Sequence, residues 1–355
     1  MSIDIYQDTR RQVEICNACR YCEGFCSVFP GIHRRRDFSD ADLTQLANLC
    51  HNCRGCYYAC QFTPPHEFNI NLPRTLAELR QLSWRQYAWP GYLARLFQRG
   101  IMAATTGLVL SLVLFIYLVS IAPAAGKNGF YALVSHGLMV SIFLPVFLLP
   151  LVSIARGIGK YWRDVDGSRL RWADLKAALA AAAKMKNLDG GHGDGCNFEQ
   201  QDAYSNSRRY FHQATMWGFL LCFAATSSAT ILHYLFAMPA PYPVFSLPKL
   251  FGLSGGLLLC VGTAGLAWLK TRADRELGAP AEWPAEMAFT LLLFLISASG
   301  LMLYLSTGTD WVAFWLPLHL ASVMTLFLLT PFSKMAHGFF RLAALCRYAQ
   351  IENGR

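Results

Sequence analysis

The chain has 355 residues, of which 54% are hydrophobic and only 15% charged, and its formal net charge is +9. Globular chains carry about 25% charged residues, and the deficit here falls after about residue 100, where long apolar runs alternate with basic loops. Because the basic residues flank apolar runs instead of forming one solvated stripe, their excess reads as a membrane-orientation signal and excludes a nucleic-acid partner.

Residues 1–100 are polar and rich in cysteine. The N-terminal stretch has no apolar core of the secretory kind, so the head is expected to fold in a reducing compartment. Eight of the twelve cysteines lie in the first 60 residues, and in such a compartment clustered cysteines are metal ligands rather than disulfides. They form two runs of one spacing, Cys16-x2-Cys19-x2-Cys22-x3-Cys26 and Cys50-x2-Cys53-x2-Cys56-x3-Cys60. This is the spacing of two-cluster ferredoxins, in which the fourth cysteine of each run ligates the other cluster. The expected ligand sets for two [4Fe–4S] clusters are therefore Cys16, Cys19, Cys22 and Cys60 for the first, and Cys50, Cys53, Cys56 and Cys26 for the second. Three thiolates wrap one side of a cubane and the distant run completes the cage, so the crossing ties the two halves of the head together. Zinc is the alternative for four-cysteine sites, but it does not ask for two copies of a three-plus-one pattern. Between the runs, Ser39 is a helix N-cap candidate before leucines at helical spacing, and no alternating strand pattern is found, so the head is expected to be helical. Arg34, Arg35 and Arg36 form a basic patch, either solvated charge or a dock for an acidic partner.

Six stretches meet the requirement of about 20 apolar residues for a membrane span: Ile101–Ile121, Tyr131–Ala155, Phe211–Phe236, Leu250–Leu269, Met287–Thr307 and Val312–Ser333. Pro145 and Pro150 are expected to bend the second. The fold class is thus all-α, a helical two-cluster head (1–100) followed by a six-helix transmembrane bundle (101–355) with a long loop at 156–210. Lys and Arg number twelve in the head, ten in loop 156–210, three in 270–286 and four in the tail 334–355, whereas the other connections hold only Lys127 and Lys249. Basic loops stay cytoplasmic, so a multi-pass protein of the bacterial inner membrane with both termini cytoplasmic is expected.

Ionisable residues inside spans are functional candidates. Here they are His136, His212, His233, His319 and His337. His212 and His233 lie on the third span, His319 and His337 on or just past the sixth, which runs the opposite way. The two intervals, 21 and 18 residues, correspond to about 32 and about 27 Å of helix. Each is too long for one iron and suits two levels of the bilayer. The expected haem b ligands are His212 with His337 on the cytoplasmic side and His233 with His319 on the other, for one or two haems. Two imidazoles leave no open position, which suits electron transfer. His136 is the weaker candidate: it replaces His233, lines a quinone pocket, or is structural. In loop 156–210, Leu170–Leu188 reads as a surface helix, and Asp189 to Cys196 reads as a flexible glycine-rich loop. The sharper alternative has His192 and Cys196 touching a partner or a quinone. No acid–base pair or nucleophile stands out, so no catalytic residue is assigned; quinone reduction is the one transformation left open.

The stretch from Leu318 to His337, with Thr330-Pro331-Phe332-Ser333-Lys334 before the second histidine, resembles the last span of the cytochrome b subunit of respiratory nitrate reductase. That resemblance implies that His319 and His337 bind one haem each. Over the whole chain, the Cys19-Arg20-Tyr21-Cys22-Glu23-Gly24-Phe25-Cys26 run, the six spans and the Gly190–Cys196 loop resemble the tricarballylate-utilisation (citrate-utilisation) protein B family. It implies an electron-transfer subunit that re-oxidises the reduced FAD of a separate tricarballylate dehydrogenase and passes electrons to membrane quinone; the FAD belongs to the partner. The rival readings are a quinol-oxidising subunit of a heterodisulfide-reductase-like complex, and an iron–sulfur redox sensor in the membrane that needs neither haem nor quinone.

Overall fold

The computed structural model describes residues 4–96, 100–121, 130–191 and 193–354. The described residues are helical and contain no β-strand beyond two isolated bridges, Cys196 with Ser205 and Glu199 with Ala273. Lys127 and His192 lie outside the described residues.

The head is built from α1 (Ile5–Cys19), α2 (Val28–His33), α3 (Asp40–Leu49), α4 (Gly55–Tyr58), α5 (Leu72–Tyr87) and α6 (Gly91–Leu96). Ser39 starts α3 as expected, through a full capping box: its side chain accepts from the Asp42 N–H while Asp42 accepts from the Ser39 N–H. The head core (Val13, Ile32, Leu43, Leu46, Leu76 and Leu79) is fully enclosed, and each such side chain is worth roughly 1.5–3 kcal/mol. The same core takes in Tyr161, Phe340 and Ala344 from the far end of the chain. Gln45 donates to the Ala344 carbonyl at 2.9 Å and accepts from the Tyr161 hydroxyl. The head is therefore packed onto the membrane bundle rather than tethered to it.

Helices α7 (Gly100–Ser120), α8 (Phe130–Leu133), α9 (His136–Asp164), α10 (Trp172–Lys184), α11 (Ser207–Leu235), α12 (Leu247–Arg272), α13 (Trp283–Leu305), α14 (Val312–Leu329) and α15 (Ala336–Glu352) complete the chain. Six helical segments among the described residues are long and apolar enough to cross a membrane: Ile101–Ser120, His136–Asp164, Ser207–Leu235, Leu247–Arg272, Pro280–Leu305 and Val312–Phe332. These are the six expected spans, with shifted ends. The second begins at His136, not Tyr131, because Ser135 accepts from the Leu138 N–H and caps the helix there. At its other end it continues to Asp164, since its polar last turns have the head to pack on. Both prolines lie inside this helix.

In the bundle, α14 packs against α7, α9 and α13, while α11 lies along α12. The α11–α12 contact is backbone against backbone. A Cβ on Gly218 would stand 2.5 Å from the Leu259 nitrogen, and one on Gly262 2.5 Å from the Thr215 nitrogen and 2.7 Å from the Phe211 oxygen. Small residues admit this approach, and it fixes the first turns of α11, which carry His212. Gly262→Leu is expected to cost about 1–3 kcal/mol of overpacking and to lower the thermal unfolding midpoint of the detergent-solubilised protein. An unchanged midpoint would mean that the two helices separate freely.

Candidate metal centres

The two cysteine runs meet at one end of the head. Cys16 and Cys19 stand on the last turns of α1, which ends at Arg20 in the left-handed region, φ 57°. Cys22 and Cys26 follow in the turn before α2, Cys50 is the C-cap of α3, and Cys56 sits on α4. Asn52 and Arg54 also take positive φ, 54° and 69°. Asn tolerates this corner. Its amide donates to the Pro73 and Leu277 carbonyls at 3.0 and 2.8 Å, which pins the turn. Backbone donors reach sulfur in two places: in this turn the Asn52 N–H lies 3.3 Å from Cys50 Sγ, and beyond α4 the Phe62 N–H lies 3.4 Å from Cys60 Sγ. Such N–H···S bonds favour the thiolate form that a cluster needs.

The electrostatics group the thiols. Burial, then Cys60, Cys22 and Cys19 in that order, push Cys16 up to about 12. Burial followed by Cys53 and Cys50 pushes Cys26 well above the usual thiol range, and burial with Cys53, Cys50 and Cys26 does the same to Cys56. Thus Cys60 faces the first run and Cys26 the second. Among the described residues, no three His, Cys, Asp or Glu side chains close on the point of a single metal ion. Thiols crowded into a buried site need a cationic centre to shed their protons, and a bound cluster supplies one; the donor set therefore fits iron–sulfur chemistry. Of these eight cysteines Cys19 is exposed and Cys53 buried, against Met185, Leu188 and Cys196, while the other six are partly buried.

The loop expected to be free covers the second run. Cys196 is buried against Cys53, Met185 and Leu188. Asn197 N–H donates to the Cys53 carbonyl at 3.0 Å, and Asn187 bonds both the backbone and the hydroxyl of Ser27. Gly191, at φ 89°, lies so close to Gly24 and Phe25 that a Cβ would meet backbone at 2.4 Å. The expected surface helix is α10, and it packs on α15. At Gly191 the missing side chain serves close approach to the head, and at Gly195 it serves close approach to Ser205, so this part of the loop is packed and not free.

Below the second run lies the head-side histidine pair. The rings of His212 and His337 are 5.9 Å apart between centroids, at 82°. With metal–nitrogen bonds of about 2 Å, two imidazoles on opposite sides of one iron have centroids about 6 Å apart, so this pair is spaced for a shared metal. His337 Nδ1 is held by the Lys334 carbonyl, which leaves the lone pair on Nε2. Burial, then Arg341 and His212, keep His337 well below the ordinary histidine range, in the neutral form that a ligand requires. His212 Nδ1 is buried without a hydrogen-bond partner, an orphan that a bound group would explain.

The remaining histidines lie toward the far side. His136 and His233 are in direct ring contact, 4.2 Å between centroids, and His136 Nε2 bonds the Tyr234 hydroxyl at 3.0 Å. That spacing is closer than two ligands across an iron. His319 has Nδ1 at 3.1 Å from the Ile296 carbonyl and 3.2 Å from the Ser299 hydroxyl, again leaving Nε2. Gly300 makes room for it, since a Cβ there would come within 2.9 Å of the ring. The ring in contact with His233 is thus that of His136, the residue assigned the least role from spacing.

Four residues between the cysteines and the histidine pair carry no role in the sequence analysis above. His51 donates from Nδ1 to the Leu49 carbonyl at 2.8 Å, and burial followed by Arg341 holds it well below its ordinary range. Arg341 donates to the Cys50 carbonyl at 2.8 Å, and Arg208 to the Asn52 and His51 carbonyls at 2.6 and 3.1 Å. Arg80 adds a further bond to the Cys50 carbonyl at 2.6 Å. These cations satisfy the free carbonyls at the C-terminus of α3 and place positive charge beside the second run. His51 directly follows Cys50, an expected ligand, which is a signal visible in the sequence; the arginines carry none, since any loop arginine looks alike.

Comparison with known proteins gives consistent results. The model of a family described as "Citrate utilization protein B" matches residues 92–355, and that of "Citrate utilization protein B Fer4-like domain" matches residues 9–88. The chain is 43% identical over 353 residues to the protein named "Citrate utilization protein B" of Escherichia coli, covering 98% of this chain and 93% of that one. No solved structure matches.

Proposed function

Because the chain belongs to the citrate utilization protein B family, with its Fer4-like domain and six membrane-spanning helices, we propose that it is the membrane electron carrier of tricarboxylate utilisation. It re-oxidises the reduced FAD of a separate tricarballylate dehydrogenase and delivers the electrons to quinone. The head lies in the cytoplasm, in line with the basic loops on its side of the bundle.

The observation that carries this reading is the stacking of the second cysteine run directly over the His212–His337 pair, joined through His51, Arg208 and Arg341. The sets Cys16/Cys19/Cys22/Cys60 and Cys50/Cys53/Cys56/Cys26 would each hold one [4Fe–4S] cluster, which would supply one-electron chemistry. The exposed Cys19 favours entry at the first, and the buried Cys53 favours exit from the second toward the bundle. His212 and His337 would hold haem b on the head side; His136, His233 and His319 are the far-side candidates for a second haem. The chain's own residues do three things: the cysteine turns direct N–H donors at sulfur, the arginines hold the second run against α11 and α15, and loop 187–197 excludes water from Cys53. The arginines also raise the affinity of the second centre for an electron relative to the exposed one.

The test is a dithionite-reduced minus air-oxidised visible spectrum of the purified protein, with iron, labile sulfide and haem quantified per chain. Low-spin b-type bands together with about eight irons outside haem are expected. A protein made with ample haem that shows no such bands would overturn the carrier reading in favour of a membrane iron–sulfur sensor.

A further inference from the structure

A polar niche and an apolar groove meet on the head side of the bundle. The niche lies between α5, α7 and α13 and contains Trp84, Glu286 and Lys334. Glu286 is paired with both Lys270 and Lys334 and accepts from the Gln81 amide at 3.2 Å. The charges are thus mutually held within a site that is mostly enclosed by protein. The groove, about 590 Å³, runs between α7 and α14 and is lined by apolar and small side chains including Thr106, Gly107, Leu110 and Leu328. Ala103 and Leu329 line both spaces, so the niche opens into the groove. Both helices of the groove belong to the membrane-spanning set, and their outward positions around it, Met102 and Leu110 among them, are exposed to the bilayer side.

A head niche with fixed donors, joined to an apolar channel that opens to lipid, is complementary to a small polar ring carrying a long hydrocarbon tail. One wall adds a redox observation. Trp84 is buried, its indole N–H donates to Asn48 at 2.9 Å, and its ring lies 6.4 Å from the His337 ring. The niche therefore shares a wall with the head-side histidine pair.

We propose that this niche and groove form an isoprenoid-quinone site, with the ring between Trp84, Glu286 and Lys334 and the tail between α7 and α14. This rests on the carrier reading given above and adds the place where the electrons leave. The Lys334 ammonium and the Gln81 amide are the donors facing a quinone carbonyl, and Glu286 holds both in position. The quinone accepts two electrons, one at a time, from the protein's metal centres and two protons from water on the head side, and leaves as quinol; no other group is transferred. Entry and exit then lie on the same side of the membrane, so the reaction moves no charge across it. A phospholipid fits the same outline, but its phosphate needs a cationic pocket, and here the charged groups lining the niche cancel, Arg85 paired with Glu282 and Lys334 with Glu286.

The experiment is photoaffinity labelling of the purified full-length protein, with its cofactors, by an azido-substituted short-tail ubiquinone, with labelled peptides mapped by mass spectrometry. Label is expected on residues 84–110 or 324–334 and is competed by unlabelled quinone. Ala103→Trp, which fills the junction, is expected to lower it at least about tenfold while the haem spectrum and iron content stay unchanged. Gly107→Leu, whose Cβ lies 3.5 Å from Thr325 Cγ2, narrows the groove alone and keeps the test open if the tryptophan variant misfolds; it is expected to weaken long-tailed quinones more than short ones. Label confined to the His136–His233 end, or bound lipid at the niche that quinone does not displace, overturns the site. Haem re-oxidation by quinone in the same preparation separates the two claims. Re-oxidation with label elsewhere leaves the carrier reading intact, whereas competed label here without re-oxidation removes quinone as the acceptor but keeps the binding site.

Discussion

Cys26→Ser is expected to abolish the cluster of the second run, not that of its own. Non-haem iron falls from about eight to about four per chain, and the electron paramagnetic resonance signal that survives is the one that also survives in Cys53→Ser. Cys60→Ser, conversely, should leave the spectrum left by Cys19→Ser. The sulfurs that raise Cys26 beyond burial are those of Cys53 and Cys50, while the first neighbour felt by Cys16 is Cys60. A serine at Cys26 presents an alcohol, far less acidic than a thiol, as the fourth ligand. Because each cluster ties residues on both sides of α3, losing one also removes a cross-link of the head, and the variant should be markedly more sensitive to proteolysis. If Cys26→Ser instead reproduces Cys19→Ser, each run binds its own cluster and the crossing is wrong.

Six apolar runs and the capping signal at Ser39 are local properties, so the existence of the six spans and of α3 is legible, while span ends differ by up to nine residues, as where the second continues to Asp164 instead of Ala155. Hydropathy alone starts the second span too early because apolar Tyr131 and Leu133 continue the pattern across a break before Ser135, which caps the helix at His136. Helical spacing gave the depth of each histidine in the bilayer but not its azimuth, and azimuth decides which rings meet. His212 and His337 come together as depth suggests; His233 meets His136 because α9 and α11 are neighbours there, as Phe147 and Phe223 also show. The glycine-rich loop was illegible for a different reason. Gly191 looks like a hinge in one dimension, and only the backbone of Gly24 and Phe25 beside it reveals a contact. The niche at Glu286 was hidden because a carboxylate at a span end reads as interfacial until Lys270 and Lys334, from two other segments, close on it.

His337→Ala is expected to remove one b-type haem and to slow electron transfer from reduced clusters to quinone by more than about 100-fold, given that loss of a mere supporting contact to a metal ligand costs 10–100-fold. The iron and labile sulfide of the head should be unchanged, since His337 begins α15 and the cysteine turns are held by Arg341, Arg208 and Arg80 instead. His212→Ala should give the same spectrum, because its ring faces His337 at 5.9 Å and the two would share one iron. His136→Ala and His233→Ala should keep that haem, as their rings touch each other at the opposite end of α11. The four variants together separate depth from pairing. Equal losses in His212→Ala and His337→Ala, with the same bands retained in the other two, place the electron path on the head side. Loss of those bands in His233→Ala instead would tie His233 to the same haem, and the wire would have to cross the full thickness of the bilayer.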